Sequence, residues 1–224
     1  IMARGQSNMA FTPAFSWDVP PNLYVWNAGD RPGDVGTAFV HPSGTAIGTA
    51  LAYADARAQA EPDRKIYLIN VSYSGIAISH WMKGTSPPDM YAWLKTNVEA
   101  ALRAIGEPVA LVDLEWQGEA DAMAASTTWA KDFAAVRARL RHEPWYPSDT
   151  LCIVMGLTHK SVFGPFNTYI EKAAEDDPDR TVYVDTGSIP DAFWSFSKFG
   201  PHMQPTGYWV AGHLAFTVEH ARHG

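Results

Sequence analysis

The chain has 224 residues, 46% of them hydrophobic, and a formal net charge of -7 at pH 7. That fits one globular domain, residues 1–224, able to bury a large core, and with no basic run it argues against nucleic acid as a partner. The single cysteine, Cys152, excludes an internal disulfide and a cysteine-rich metal site.

Residues 1–5 can form a short strand that ends in Gly5-Gln6-Ser7-Asn8, so a buried strand would deliver Ser7 to the top of a sheet. Met9 stands where the second glycine of a G-x-S-x-G elbow would be. Taken alone, the tetrapeptide reads more readily as a turn whose Ser and Asn bond local backbone. Phe11 to Pro21 reads as loop, Leu23–Trp26 as a short β-prone piece, and the glycine-rich stretch from Asn27 to Gly44 as an irregular excursion. Loops that long in a compact domain are either functional or wrongly assigned, and these segments are taken as candidate walls of a binding cleft.

The alanine-rich run from Thr45 to Gln59 predicts a helix, and Lys65–Ser72 a strand covered on both faces that delivers Ser74-Gly75. After Pro87-Pro88, the rhythm of Met90, Trp93, Leu94, Val98, Ala101, Leu102 and Ile105 predicts an amphipathic helix. Val109–Leu114 is the next strand and delivers Glu115-Trp-Gln-Gly-Glu-Ala-Asp121 to a loop. One helix is expected from Ala122 to about Arg141. Leu151–Met155 is a further strand, in which Cys152 reads as a buried small hydrophobe. A helix over 166–176, a strand over 181–185, a loop to Pro201 and a helix over about 206–220 complete the chain. Val210, Leu214, Val218 and Ala221 are expected to mark that last helix's buried edge.

Apolar strands alternating with helices predict an α/β fold, a three-layer α/β/α sandwich with a parallel, flavodoxin-like sheet of about five strands. Ligands gather at the carboxyl ends of such strands. The groups delivered there, Ser7, Ser74-Gly75 and Gln117-Gly118-Glu119, with His202 in the last loop, are the parts of serine-ester chemistry. Imidazole can take a serine proton near neutral pH, and backbone N–H groups with a side-chain amide can hold an oxyanion.

These blocks, Gly5-Gln-Ser-Asn-Met9, Ser74-Gly-Ile-Ala-Ile-Ser-His-Trp81, Gln117-Gly-Glu-Ala-Asp121 and His202-Met-Gln-Pro-Thr-Gly207, resemble those of the SGNH-type esterases, in the sialate O-acetylesterase and acetylxylan esterase branch. The resemblance spans residues 5 to 207. It implies Ser7 as nucleophile, His202 as base, and an oxyanion hole of the Ser7 and Gly75 N–H groups with the Gln117 amide. Glu119 and Asp121 would tie their block together. The implied activity is removal of O-acetyl groups from an acetylated oligo- or polysaccharide, without metal or other cofactor. Family members place an aspartate three residues before the histidine, and here that position is Phe199. Three outcomes are open: a Ser-His dyad, an acid recruited from Asp185, Asp191 or Glu119, or a carbohydrate-binding or structural domain that has lost turnover. A lipid or aryl ester is a further alternative substrate. Trp116, where relatives carry histidine, is expected to reshape the acyl or leaving-group pocket.

Other signals carry less. His220 and His223 lack a third metal ligand, Glu115 and Glu119 are expected in a loop rather than as a glycosidase pair, and His80 could either line the cleft or pack. His41, His159 and His213 read as structural. No nucleotide-binding motif is present. Nine tryptophans weakly favour a sugar substrate. No apolar stretch approaches the roughly 20 residues of a membrane-spanning helix, so no membrane insertion is expected. A chain beginning inside its first strand is expected to be processed or excised from a longer polypeptide. Its compartment, whether secreted, on a cell surface or within a larger assembly, stays open, as does its oligomeric state.

Overall fold

The structure, a computed structural model, describes residues 1–13, 15–29, 31–82, 87–194 and 200–222. In chain order it contains β1 (Met2–Gly5), β2 (Thr12–Pro13), β3 (Leu23–Trp26), β4 (Phe39–Val40), β5 (Ala46–Ile47), α1 (Thr49–Ala60) and β6 (Ile66–Ser72). Then follow α2 (Met90–Ile105), β7 (Val112–Trp116), α3 (Glu119–Met123), α4 (Trp129–Leu140), β8 (Leu151–Met155), α5 (Phe163–Glu175), β9 (Thr181–Val184) and α6 (Pro205–Ala221).

Among the described residues, seven strands form the main sheet in the order β4-β3-β6-β1-β7-β8-β9, all neighbours parallel except the β3–β4 pair. The five expected strands form one contiguous block, β6-β1-β7-β8-β9, ending at the β9 edge, which is the flavodoxin order with the first strand between the second and third. The sheet is wider than expected because β3 pairs parallel with β6 through Leu23↔Ile66 and Val25↔Leu68, and β4 adds to β3 as an antiparallel edge. Pieces this short carry no readable periodicity. Met2 and Ala3 point to opposite faces of β1 and both are fully buried, so helical layers cover both sides of the sheet.

The helix expected over 122–141 is two helices. Ala125 has φ 51°, a left-handed backbone that an α-helix cannot continue, and Ser126 to Thr128 intervene before α4 begins. Helix α2 follows its sequence signals: the Asp89 carboxylate accepts from the Ala92 N–H at 2.9 Å, and Gly106 ends it at φ 72°. The buried edge of α6 also differs from expectation. It is Gly207, Tyr208, Ala211, Gly212, Ala215 and Glu219, not the line of Val210, Leu214 and Val218, which is half-buried. Small residues set that rotation: a Cβ on Gly212 would lie 2.5 Å from the Ala52 Cβ, so the backbones of α1 and α6 touch.

Candidate active site

Strand β1 is central and short, and Gly5 at its end is there for space. A Cβ at Gly5 would sit 2.1 Å from the Trp116 carbonyl oxygen, and φ is +150°. The chain then bends without leaving its neighbours: the Gln6 N–H donates to Trp116 O at 3.0 Å, and the Tyr73 N–H to Gly5 O at 3.1 Å. A single 3-10 turn, Ser7–Met9, follows. It lifts Ser7 to a half-buried position where its Oγ lies 2.7 Å from His202 Nε2, a residue 195 positions away.

Asn8, buried beside it, joins three distant parts of the chain. Its Nδ2 donates to Glu119 Oε1 at 2.6 Å and to the Pro201 carbonyl at 3.1 Å, and its Oδ1 accepts from the Tyr208 hydroxyl at 3.3 Å. The residue preceding His202 is therefore fastened to the residue following Ser7. Glu119 is 2% exposed, and burial pushes its carboxyl up to about 7 from an ordinary value near 4.5, against the pull of its backbone and Asn8 hydrogen bonds. The folded chain thus keeps a proton that the unfolded chain releases, and Glu119's contribution to stability is full below pH 4.5 and lost as pH rises through about 7. Glu119→Gln should remove that slope. Denaturant titrations at pH 5 and pH 8 should show wild type losing up to about 3 kcal/mol more than the variant.

The segment carrying His202 is held from its other side too. Met203 bridges Trp194, the Gln204 N–H donates to Phe193 O at 2.9 Å, and the Gln204 side-chain amide donates to Ala192 O at 3.2 Å. Of the three candidate acids, Asp185 lies at the end of β9 with its Oδ1 2.8 Å from His159 Nε2, and accepts from the Gly187 N–H at 2.8 Å. Asp191 faces Lys160 at 3.3 Å, and Glu119 is occupied by Asn8. None of these three is brought to His202 by a hydrogen bond among the described residues. Phe199, at the family's aspartate position, lies outside the described residues. The His159–Asp185 pair escaped the sequence reading, although the two residues follow adjacent parallel strands and so had to emerge side by side.

Gly75 is exposed, with φ +73° and open space where a Cβ would be. Its left-handed turn presents backbone beside the end of β6. Gln117 is fully buried, and its Nε2 donates to Ile76 O at 2.9 Å and to Asp121 Oδ2 at 3.2 Å. Asp121 Oδ2 also accepts from the Ile78 N–H at 2.9 Å, so this block braces the loop that bears Gly75. Burial raises the Asp121 carboxyl above the usual range.

Several other expectations change. Glu115 and Trp116 belong to β7, not to a loop, and both are fully buried. Trp116 packs in the core instead of forming a pocket wall, and Glu115 pairs with Arg4 at 2.6 Å. His80 is half-buried, its Nδ1 3.3 Å from Pro88 O. His220 stacks on Phe216, His223 lies outside the described residues, and no group of three metal-binding side chains occurs among the described ones. Cys152 is buried as expected, and no described helix is long and apolar enough to cross a membrane.

Comparison with known proteins places this geometry in context. The family model for carbohydrate esterase, sialic acid-specific acetylesterase, matches residues 1–193. No curated protein sequence matches the chain significantly. Among solved structures, an Arabidopsis thaliana protein superposes with a TM-score of 0.73 at 18% identity, covering 98% of this chain and 97% of that one. A carbohydrate acetylesterase from Xanthomonas citri superposes with a TM-score of 0.65 at 18% identity, covering 98% of this chain and 56% of that one. At such identities the superpositions speak for the fold.

Proposed function

We infer, because the chain belongs to the carbohydrate esterase family of sialic acid-specific acetylesterases, that it is a serine esterase removing O-acetyl groups from a carbohydrate. The observation that supports this most is the 2.7 Å contact between Ser7 Oγ and His202 Nε2 at the carboxyl ends of a parallel sheet.

In this reading His202 takes the Ser7 proton as Oγ attacks the acetyl carbonyl. The oxyanion is met by the N–H groups of Ser7 and Gly75 and by the Gln117 amide, each donor worth roughly 2.7–4 kcal/mol by analogy with other oxyanion holes. Gln117 has both amide hydrogens engaged, so it joins by exchanging its longer contact, the 3.2 Å bond to Asp121. His202 then protonates the departing sugar alkoxide. Water, deprotonated by the same imidazole, attacks the acetyl-enzyme, and acetate leaves with Ser7 regenerated. With Asp185 and Asp191 engaged elsewhere, Ser7 and His202 work as a dyad, the ring's approach fixed by Asn8 on Pro201 and by the Met203–Gln204 clamp.

The test is acetate release from an aryl acetate and from an acetylated oligosaccharide, with esters of longer acyl chains alongside. Expected is a preference for acetyl over long chains, a loss of 10²-fold or more in kcat for His202→Ala, and about 10²–10³-fold for Gln117→Ala. Preference for long acyl chains would favour the lipid-ester alternative. Phe199 at the aspartate position favours a second reading, a saccharide-binding domain on this scaffold without turnover. A folded wild type that binds saccharide and releases no acetate would establish it in place of the esterase.

A further inference from the structure

A cavity of about 480 Å³ lies at the carboxyl ends of β3 and β6, on the side of β1 away from β7. It adjoins the nucleophile's segment: Ala10 and Phe11, just past the Ser7 turn, line it, as does Ser72, the register partner of Gly5. Asn70, also in its wall, donates from Nδ2 to Met9 O at 2.8 Å, while its Oδ1 is buried with no protein partner among the described residues.

Its walls are held firm by one side chain. Asn97 of α2 is fully buried, and its Oδ1 accepts from Trp26 Nε1 and from the Gly36 N–H, each at 3.0 Å. Its Nδ2 donates to Asp34 O at 2.9 Å, and Trp93 Nε1 donates to the same carbonyl. The glycine-rich excursion is thereby fastened to a core helix on one side of the cavity. The volume falls within the range of small-ligand sites.

The chemistry of the lining is uniform in one respect. Phe11, Trp26 and Trp93 give apolar surface, and Asn27, His41 and Asn70 give hydrogen-bonding groups, yet no Lys, Arg, Asp or Glu is among the described residues that line it. A sugar carboxylate bound here would lose water without meeting a Lys or Arg among the described lining residues. The chain's net charge of -7 acts in the same direction at long range.

We propose that this cavity is the glycone subsite and that it takes an uncharged acetylated pyranoside in preference to a sugar acid such as sialic acid. Aromatic and aliphatic walls cover the C–H faces of the ring, while the Asn27, His41 and Asn70 side chains meet its hydroxyls. The proposal rests on the esterase reading for its kinetic arm, and has a binding arm that does not.

The experiment measures kcat/KM of the full chain on an aryl acetate, on an acetylated neutral pyranoside and on O-acetylated sialic acid. The neutral sugar should exceed the sugar acid by tenfold or more. Asn27→Arg, an exposed position where the fold tolerates change, should move that ratio at least tenfold toward the acid. Equal use of both sugars, preference for the acid, or a ratio unmoved by Asn27→Arg would overturn the subsite while leaving the esterase intact. If the wild type cleaves no acetate at all, the esterase reading falls, and calorimetry decides the cavity alone. Binding of the neutral pyranoside to Ser7→Ala, weakened tenfold or more by adding Phe11→Ala, supports it, and no binding, or binding indifferent to Phe11→Ala, refutes it.

Discussion

Ser7→Ala is expected to lower kcat for acetyl-ester hydrolysis by about 10⁶-fold, the scale seen when the nucleophile of a serine hydrolase is removed. Two features make the effect that large. The proposed bond-forming atom is Oγ, and Ala offers no replacement. Among the described residues, that same Oγ is the hydrogen-bond partner of His202 Nε2. The substitution costs the fold little, because Ser7 is half-buried and its Oγ contact to His202 is made on the exposed side of the turn. Thermal unfolding should therefore shift by a few degrees at most while turnover disappears. Saccharide affinity should survive, which makes the variant suitable for binding work. Retention of activity in Ser7→Ala would remove the nucleophile assignment whatever the substrate is.

The largest effect on stability is expected from Arg4, three positions before Ser7 and fully buried. Its Nε donates to Asp113 Oδ1 at 3.1 Å, and its Nη2 lies 2.6 Å from Glu115 Oε2. Arg137 at 3.4 Å and the Tyr146 hydroxyl at 2.9 Å meet Asp113 Oδ2 from the other direction. Two guanidinium groups and two carboxylates are thus enclosed between β1, β7 and α4, with balanced charge. Burial drives the Glu115 carboxyl up to about 7, while Arg4 pulls it back toward ionisation. Arg4→Leu removes that pull and leaves Glu115 without a partner. A loss of about 3–5 kcal/mol is expected, as for other broken buried pairs, or roughly 10 °C in Tm for a domain of this size. Arg4→Met combined with Glu115→Met should recover much of it, because an apolar pair of similar volume carries no stranded charge. Guanidinium titrations of the single and double variants measure both. A single variant no less stable than wild type would mean that the network contributes nothing net.

Much of the sheet was legible in the sequence, for a definite reason. Strand β8 is an almost wholly apolar run, β6 and β9 are rich in apolar residues, and the apolar residues around Asp113 still mark β7, whose two carboxylates are buried; a parallel sheet then obliges the residues that follow these strands to share one rim. That is why Ser7, Gly75 and Gln117 could be placed at one rim before any coordinates. The rest depended on contacts that leave no local pattern. Strands β3 and β4 are too short to show alternation. The packing of α6 on α1 uses Gly212 and Ala52, whose small size gives no hydrophobic rhythm. Helix α4 starts late because Ala125 turns left-handed, which an alanine does not advertise. The defining contacts of Asn8 and Asn97 are long-range, with partners 193 and 71 residues distant. Phe199 marked where the family's acid is missing, and the pairing of Asp185 with His159 shows where one candidate substitute went.

The grip of Asn8 on Pro201 and Tyr208 has a bearing on how the protein comes into being. Ser7 and His202 lie 195 positions apart, so the proposed catalytic pair exists only once the segment before α6 has closed on the end of β1. Before that closure the Ser7 hydroxyl has no imidazole beside it. In the esterase reading, a folding intermediate that already displays the sheet is therefore silent toward acetylated sugars, and turnover reports that the His202 segment, and not merely the sheet, has docked.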